Sequence, residues 1–372
     1  MVQAPRDGLP PLARVKWNRE KGVSVTRNAV AIVSSLLFVF LAALLVVIPV
    51  PYVAWRPGQT VDVLASTEDG SPVIDVSGLP TFDTTGRLLM TTVSTTRVDS
   101  TLSLPEAVFV YLANDSDAMP REVIYPPGKS SSQVQSEAVA MMDKSRINAT
   151  VAALRAAGVA VTELPRVESV VLSGPSADRL QPGDLITKVD DIEMRTREDV
   201  IAQVATHAVG DVVVFTVLRD GQDNVVSVTT SASNTDSRRP VVGISLDTGF
   251  LYGPQVQFGV DHNVTGPSAG LVFALGLYDR ITEGTLIDDE VVAGTGEIDP
   301  NGRVTRIGAV REKIKGAERD GATVFLVPED NCADVGNIDT DVSLVRVGTL
   351  KDAIAALQLN NEGKTSEVPT CG

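Results

Sequence analysis

Ser268 stands in Thr265-Gly266-Pro267-Ser268-Ala269-Gly270-Leu271, a run of small residues that opens an apolar stretch continuing through Phe273, Leu275 and Leu277. With Gly266, Pro267 and Ala269 as neighbours, the hydroxyl has room for a substrate backbone beside it. The apolar stretch reads as a helix. A helix N-terminus offers backbone N–H groups without intrahelical partners and a positive potential, and a developing oxyanion needs both. The same pattern also fits a serine that does no more than cap the helix.

A serine nucleophile needs a base. The chain contains two histidines, His207 and His262. His207 ends a helix in a different segment. His262 precedes Ser268 by six residues and leaves a Ser-His-Asp arrangement open. A lysine stripped of water does the same work once its pKa falls. If 309–320 is helical, Lys313 shares a face with Val310, Ile314 and Ala317. Lys315 then lies about 200° further round, among Arg311, Glu312, Glu318 and Arg319. Lys313 is the one placed to lose its charge, or else to snorkel from the edge of the apolar face. Thr295, in the turn Gly294-Thr295-Gly296 after a strand at Val291–Ala293, carries a hydroxyl that would hold the amine or simply serve the turn.

The elements that carry these residues follow a basic and then an apolar segment. Residues 1–28 hold six basic and two acidic residues, net +4, in a chain of net charge −15. No charged residue occurs from Asn28 to Trp55. Ala29–Ile48 is apolar except for Ser34 and Ser35, long enough as a helix to cross a bilayer core of roughly 30 Å. Pro49 and Pro51 stop it, and Tyr52 and Trp55 follow where interfacial aromatics sit. The positive-inside rule puts 1–28 in the cytoplasm and the rest outside. A cleaved signal peptide fits less well, because the run is long and no A-x-A pattern follows. The acidic body argues against a nucleic-acid partner.

The outer part divides by pattern. Residues 29–51 are the expected transmembrane helix and 52–160 a juxtamembrane region of strands. That region includes a helix over 104–118 opened by Pro105, and helical spacing over 133–157. Residues 161–233 read as a β-rich domain, with strands at Val167–Leu172, Leu185–Val189, Val212–Leu218 and Val225–Thr230 and a helix capped by Thr196. The run Ser173-Gly174-Pro175-Ser176-Ala177-Asp178-Arg179-Leu180-Gln181-Pro182-Gly183-Asp184-Leu185-Ile186 resembles a PDZ domain of bacterial proteases. That resemblance implies binding of extended peptide termini by strand addition, with Ala157–Val161 as the candidate carboxylate loop. Gly174-Pro175-Ser176-Ala177 repeats the serine motif, but Asp178 follows it and it reads as a turn. Residues 240–360 form the last domain and 361–372 a polar tail.

Taken together, 265–271, 294–299 and 307–317 resemble the proteolytic domain of Lon proteases over about Val241–Leu359. With the anchor and the PDZ-like domain, the chain resembles membrane-bound, PDZ-containing Lon-like proteases of Gram-positive bacteria. The implied fold is α+β: one transmembrane helix, a β-rich PDZ-like domain and a Lon-type α/β domain. The implied roles are nucleophile for Ser268, general base for Lys313 and a hydroxyl bonded to the lysine for Thr295. Ring-forming homo-oligomers are a further implication. Asp261, seven residues before the serine, and His262 receive no role. No Gly-x4-Gly-Lys-Ser/Thr motif occurs, so the expected activity is ATP-independent endopeptidase action on extracytoplasmic or membrane-associated protein segments, with no cofactor and no metal. Partners are then protein substrates and, through 29–48, the lipid bilayer. The alternative is a catalytically inactive binding scaffold at the outer membrane face. Finally, Cys332 and Cys371 are the only cysteines. In an outward compartment they are expected to form a disulfide.

Overall fold

A computed structural model describes residues 20–372 apart from Glu68, Asp69, Asp99, Asn114 and His262, with only the backbone described over 20–26. The basic residues ahead of position 20 and His262 thus lie outside the described residues. In chain order the elements used below are helix α1 (Glu20–Val47), strands β1 (Pro49–Val50), β2 (Tyr52–Asp62), β3 (Ile74–Ser77), β4 (Arg87–Thr95) and β5 (Leu102–Ser103), and helices α2 (Leu104–Leu112) and α3 (Ser131–Ala156). Then come β6 (Thr162–Val170), β7 (Leu185–Val189), α4 (Arg197–Val204), β8 (Val212–Arg219), β9 (Gln222–Thr229), β10 (Ile244–Leu251) and β11 (Gln255–Phe258). The chain ends with α5 (Gly270–Ile281), β12 (Val291–Gly294), α6 (Val310–Arg319), β13 (Val324–Pro328), β14 (Ser343–Val347) and α7 (Leu350–Asn361).

The chain packs as two compact units: the described residues up to Ala54 with Thr95–Pro126, and Trp55–Ser94 with Pro127–Gly372. In the first unit, the part of α1 from Arg27 to Val47 has a mean hydropathy of 3.0 and none of it is buried. It is long and apolar enough to cross a membrane, a property that a signal sequence shares. β1 pairs antiparallel with β5, Pro49 opposite Ser103. A capping box closes the start of α2: the Ser103 hydroxyl accepts the Glu106 N–H, and the Glu106 carboxylate accepts the Ser103 N–H. This helix stops at Leu112, six residues short of the expected end, because Ala113 turns extended. Ala54, Leu102, Ala107 and Val110 form a small core.

The second unit holds two sheets. One has the order β9-β8-β7-β6-β10 around a core of Val167, Ile186, Val213 and Phe215. Its helix α4 opens with the expected capping box of Thr196 and Asp199. β10 comes from beyond the polar linker and pairs antiparallel with β6 along its length, Ile244 opposite Val170 and Leu251 opposite Thr162. The boundary expected at 240 thus falls inside this sheet's sequence span.

The other sheet has β14-β13-β12-β4-β2 as neighbours, with β4, β12, β13 and β14 parallel. β11 pairs with β3. Helices α3, α5 and α7 pack together beside this sheet, and Ala149, Ala153, Phe273, Leu277 and Ile354 share one core with Ile74, Leu88 and Met90. The segment expected to form a separate juxtamembrane region is therefore split. Residues 55–94 and 131–156 belong to the body that carries Ser268. β4 pairs on one side with β2 of the same segment and on the other with β12, Arg87 opposite Val291, a partner that local reading of the sequence does not offer. The tail is also bound, since Arg346 donates its N–H to Pro369 and Cys371 donates to Leu344 along the free edge of β14. Cys332 and Cys371 are joined, their Cα atoms 5.0 Å apart.

Candidate active site

Ser268 lies in the turn before α5. The N-cap residue of that helix is Ala269, and no side chain caps it. Ser268 therefore does not cap the helix, and its hydroxyl faces Lys313, with Oγ and Nζ 2.9 Å apart. The amine has one other partner, the main-chain carbonyl of Thr91 on β4, at 3.0 Å. Lys313 is 3% exposed, on the apolar face of α6. Burial lowers its ammonium from the ordinary lysine range to about 7, because a low-dielectric site penalises the charged form. Lys315 faces the other way, bound to the Glu318 carboxylate at 2.8 Å and to the Asp339 carbonyl.

The turn Gly294-Thr295-Gly296 pins the serine loop rather than the lysine. The Thr295 hydroxyl donates to the Ser268 carbonyl at 3.0 Å, and the Gly296 N–H donates to the same oxygen at 2.9 Å. This corrects the expected contact between Thr295 and the amine, which Thr91 supplies instead. The Leu271 N–H returns to the Gly296 carbonyl, so loop and turn are zipped from both sides. A Cβ on Gly296 would meet Val304 Cγ1 at 2.7 Å, so no larger residue fits there without displacement.

Helix α3 buttresses the other side. The Ser145 hydroxyl donates to the Pro267 carbonyl at 2.9 Å, and the Ala138 carbonyl accepts the Gly266 N–H at 3.0 Å. Asn148 donates to the Ile298 carbonyl at 3.0 Å. Gly266 adopts φ +91°, which a side chain would strain. Gly270 lets α5 approach α3: a Cβ there would lie 2.9 Å from both Ser145 Oγ and Ile298 Cγ2. Thr91, Ser145 and Asn148 were missed in sequence. A carbonyl partner leaves no residue-type signature, and the α3 hydroxyl and amide read as ordinary polar positions. Asp261 is exposed, and its carboxylate accepts the Asn263 N–H in a local turn.

Against this geometry, residues 260–356 match the Lon protease C-terminal proteolytic domain and residues 140–230 match the PDZ domain. The chain carries a PDZ domain and a Lon-type proteolytic domain. It is 38% identical over 105 residues to Lon protease 1 of Herpetosiphon aurantiacus, covering 28% of this chain and 13% of the relative. It is 43% identical over 77 residues to Lon protease 1 of Bacillus subtilis, covering 21% and 10%. The chain spans between 10% and 13% of the length of these curated relatives. Among solved structures, the PDZ domain of an SdrC-like protein from Listeria monocytogenes is 28% identical, covering 22% of this chain and 85% of that one, with a TM-score of 0.21.

In the PDZ domain, a cavity of about 360 Å³ lies between α4 and the β10 segment, lined by Val200, Ile201 and Val204 on one side and Val242, Ile244 and Leu246 on the other. The candidate carboxylate loop Ala157–Val161 is not among its lining residues; Ala157 caps the C-terminus of α3 and the rest leads into β6. Ser176 of the repeated serine motif is fully buried and donates to the Val242 carbonyl at 2.7 Å. It braces the start of the groove strand and has no solvent access.

Proposed function

We propose that this chain is a membrane-anchored serine endopeptidase in which Ser268 is the nucleophile and Lys313 the general base. The observation that carries the reading is the 2.9 Å contact between Ser268 Oγ and a buried Lys313 amine whose charge burial disfavours. A neutral amine accepts the hydroxyl proton at that separation. Oγ then attacks the scissile carbonyl, and the tetrahedral oxyanion forms beside the positive N-terminal end of α5. The resulting ammonium gives its proton to the departing amine. The amine, neutral again, takes a proton from water for deacylation. The Thr91 carbonyl accepts from Nζ in both charge states and keeps it aimed at Oγ. Thr295, Gly296 and Ser145 hold the carbonyls that flank the nucleophile, so its position is set before substrate arrives.

In this reading α1 crosses the bilayer with the basic end inside, and the disulfide supports an oxidising compartment for the rest. The PDZ groove offers the free edge of β10 to an extended peptide. We take cleavage to need no ATP and to favour loosely folded segments. The test is full-length protein in nanodiscs with a disordered protein substrate. Cleavage that is unchanged by ATP and lost in Ser268→Ala supports the reading. Cleavage retained in that variant, or strictly ATP-dependent, contradicts it.

A further inference from the structure

We propose that helix α2 is a second membrane contact, lying in the headgroup region of the bilayer leaflet from which α1 emerges. Its sequence is Leu-Pro-Glu-Ala-Val-Phe-Val-Tyr-Leu, without one basic residue. Ala107 and Val110 face the small core. Everything on the outward arc is apolar: Leu104, Val108, Phe109, Tyr111 and Leu112, of which the last three are 74%, 75% and 71% exposed. At 100° per residue these positions, with Pro105, sweep roughly 160° of the helix. Glu106 sits on the flank, occupied by the capping box. A water-facing helix is expected to show polar residues on that arc.

What covers the face follows from where the helix is tied. One residue separates the end of α1 from β1. β1 pairs with β5, which sets Ser103, the cap of α2, opposite Pro49. The two helices touch. The apolar arc is therefore continuous with the exit of the apolar span, at the depth where Phe and Tyr concentrate in membrane proteins. The absence of Lys and Arg from α2 assigns the attachment to apolar burial rather than to anionic lipid.

The inference rests on the reading that α1 crosses the bilayer, and the experiment separates the two. Phe109→Cys and Leu112→Cys in the full chain, each carrying an environment-sensitive fluorophore, are reconstituted in phosphatidylcholine vesicles, with Phe38→Cys labelled as the marker of α1. Nitroxide lipids probe contact with the bilayer and iodide probes contact with water. The expected result is quenching of the 109 and 112 labels by shallow nitroxide lipids, shielding from iodide and no need for anionic lipid. The label at 38 should respond to deep nitroxides. Labels at 109 and 112 open to iodide, with 38 in lipid, overturn the surface and spare the span. Labels shielded from iodide yet untouched by nitroxide lipid mean that protein, such as a second copy, covers the helix, and also overturn it. A label at 38 that meets no lipid sinks the spanning reading and this inference with it.

Discussion

Lys313 Nζ is held between Ser268 Oγ at 2.9 Å and the Thr91 carbonyl at 3.0 Å, partners 45 and 222 residues away in the chain. The geometry of this pair thus depends on a strand laid down before the PDZ domain as much as on the two motifs behind it.

Ser268→Ala and Lys313→Ala are each expected to lower kcat by at least about a thousandfold, since nucleophile and base act as a unit. Lys315→Ala should stay within about threefold of the native rate, because its amine is occupied by Glu318 and Asp339 away from the serine. Steady-state cleavage of a peptide substrate checks this, with circular dichroism to verify folding.

Activity should rise with pH through about 7, the value to which burial lowers Lys313. The stability consequence has a definite sign. The unfolded chain keeps the lysine proton up to about 10.5 and the folded chain releases it near 7, so the unfolded state binds more protons between those values. The buried lysine therefore costs most stability below pH 7, and the cost fades as pH rises toward 10.5. Lys313→Met should raise Tm most at pH 6, with a gain that shrinks by pH 10. Thermal melts across that range test it. A gain that is the same at both ends would contradict a depressed pKa.

Ser145→Ala removes the hydroxyl that holds the Pro267 carbonyl. It should cost about 1 kcal/mol of stability. It should lower kcat by about tenfold with KM little changed, because it loosens the nucleophile rather than substrate binding. Ser145→Thr should not rescue it, since Gly270 already approaches so closely that a Cβ there would lie 2.9 Å from Ser145 Oγ.

The serine and the lysine were legible in sequence because each has a local signature: small residues before an apolar helix, and one lysine in phase with apolar neighbours. What surrounds them was not. Thr91 acts through its backbone, and Ser145 lies on a helix that precedes the PDZ domain. The strand β10 closes a sheet begun eighty residues earlier, so reading neighbouring hairpins could not have placed it there. The tail read only as polar because its residues show no periodicity, yet its pairing with β14 is main-chain and needs none.

Reducing the Cys332–Cys371 bridge, which closes a separation of 39 residues, should cost roughly 3–4 kcal/mol. It should also free the 369–371 segment from β14. Hydrogen exchange at Cys371 and Arg346, whose N–H groups make those bonds, is expected to speed up in the Cys371→Ser variant while Lys313 α6 amides stay protected. Mass spectrometry without reductant should find the two cysteines linked within one chain, and a bridge between chains would contradict the structure.

The central claim is that Lys313, neutral near pH 7, activates Ser268. It is tested most directly by the rate at which a small serine-directed electrophile labels the intact protein as pH is varied, with the modified residue mapped by peptide mass spectrometry. The account predicts label on Ser268, a sigmoidal rise with its midpoint near 7, loss of reaction in Lys313→Met and no change in Lys315→Ala. Label on another residue, or a Ser268 rate that is flat from pH 5 to 9, would contradict it.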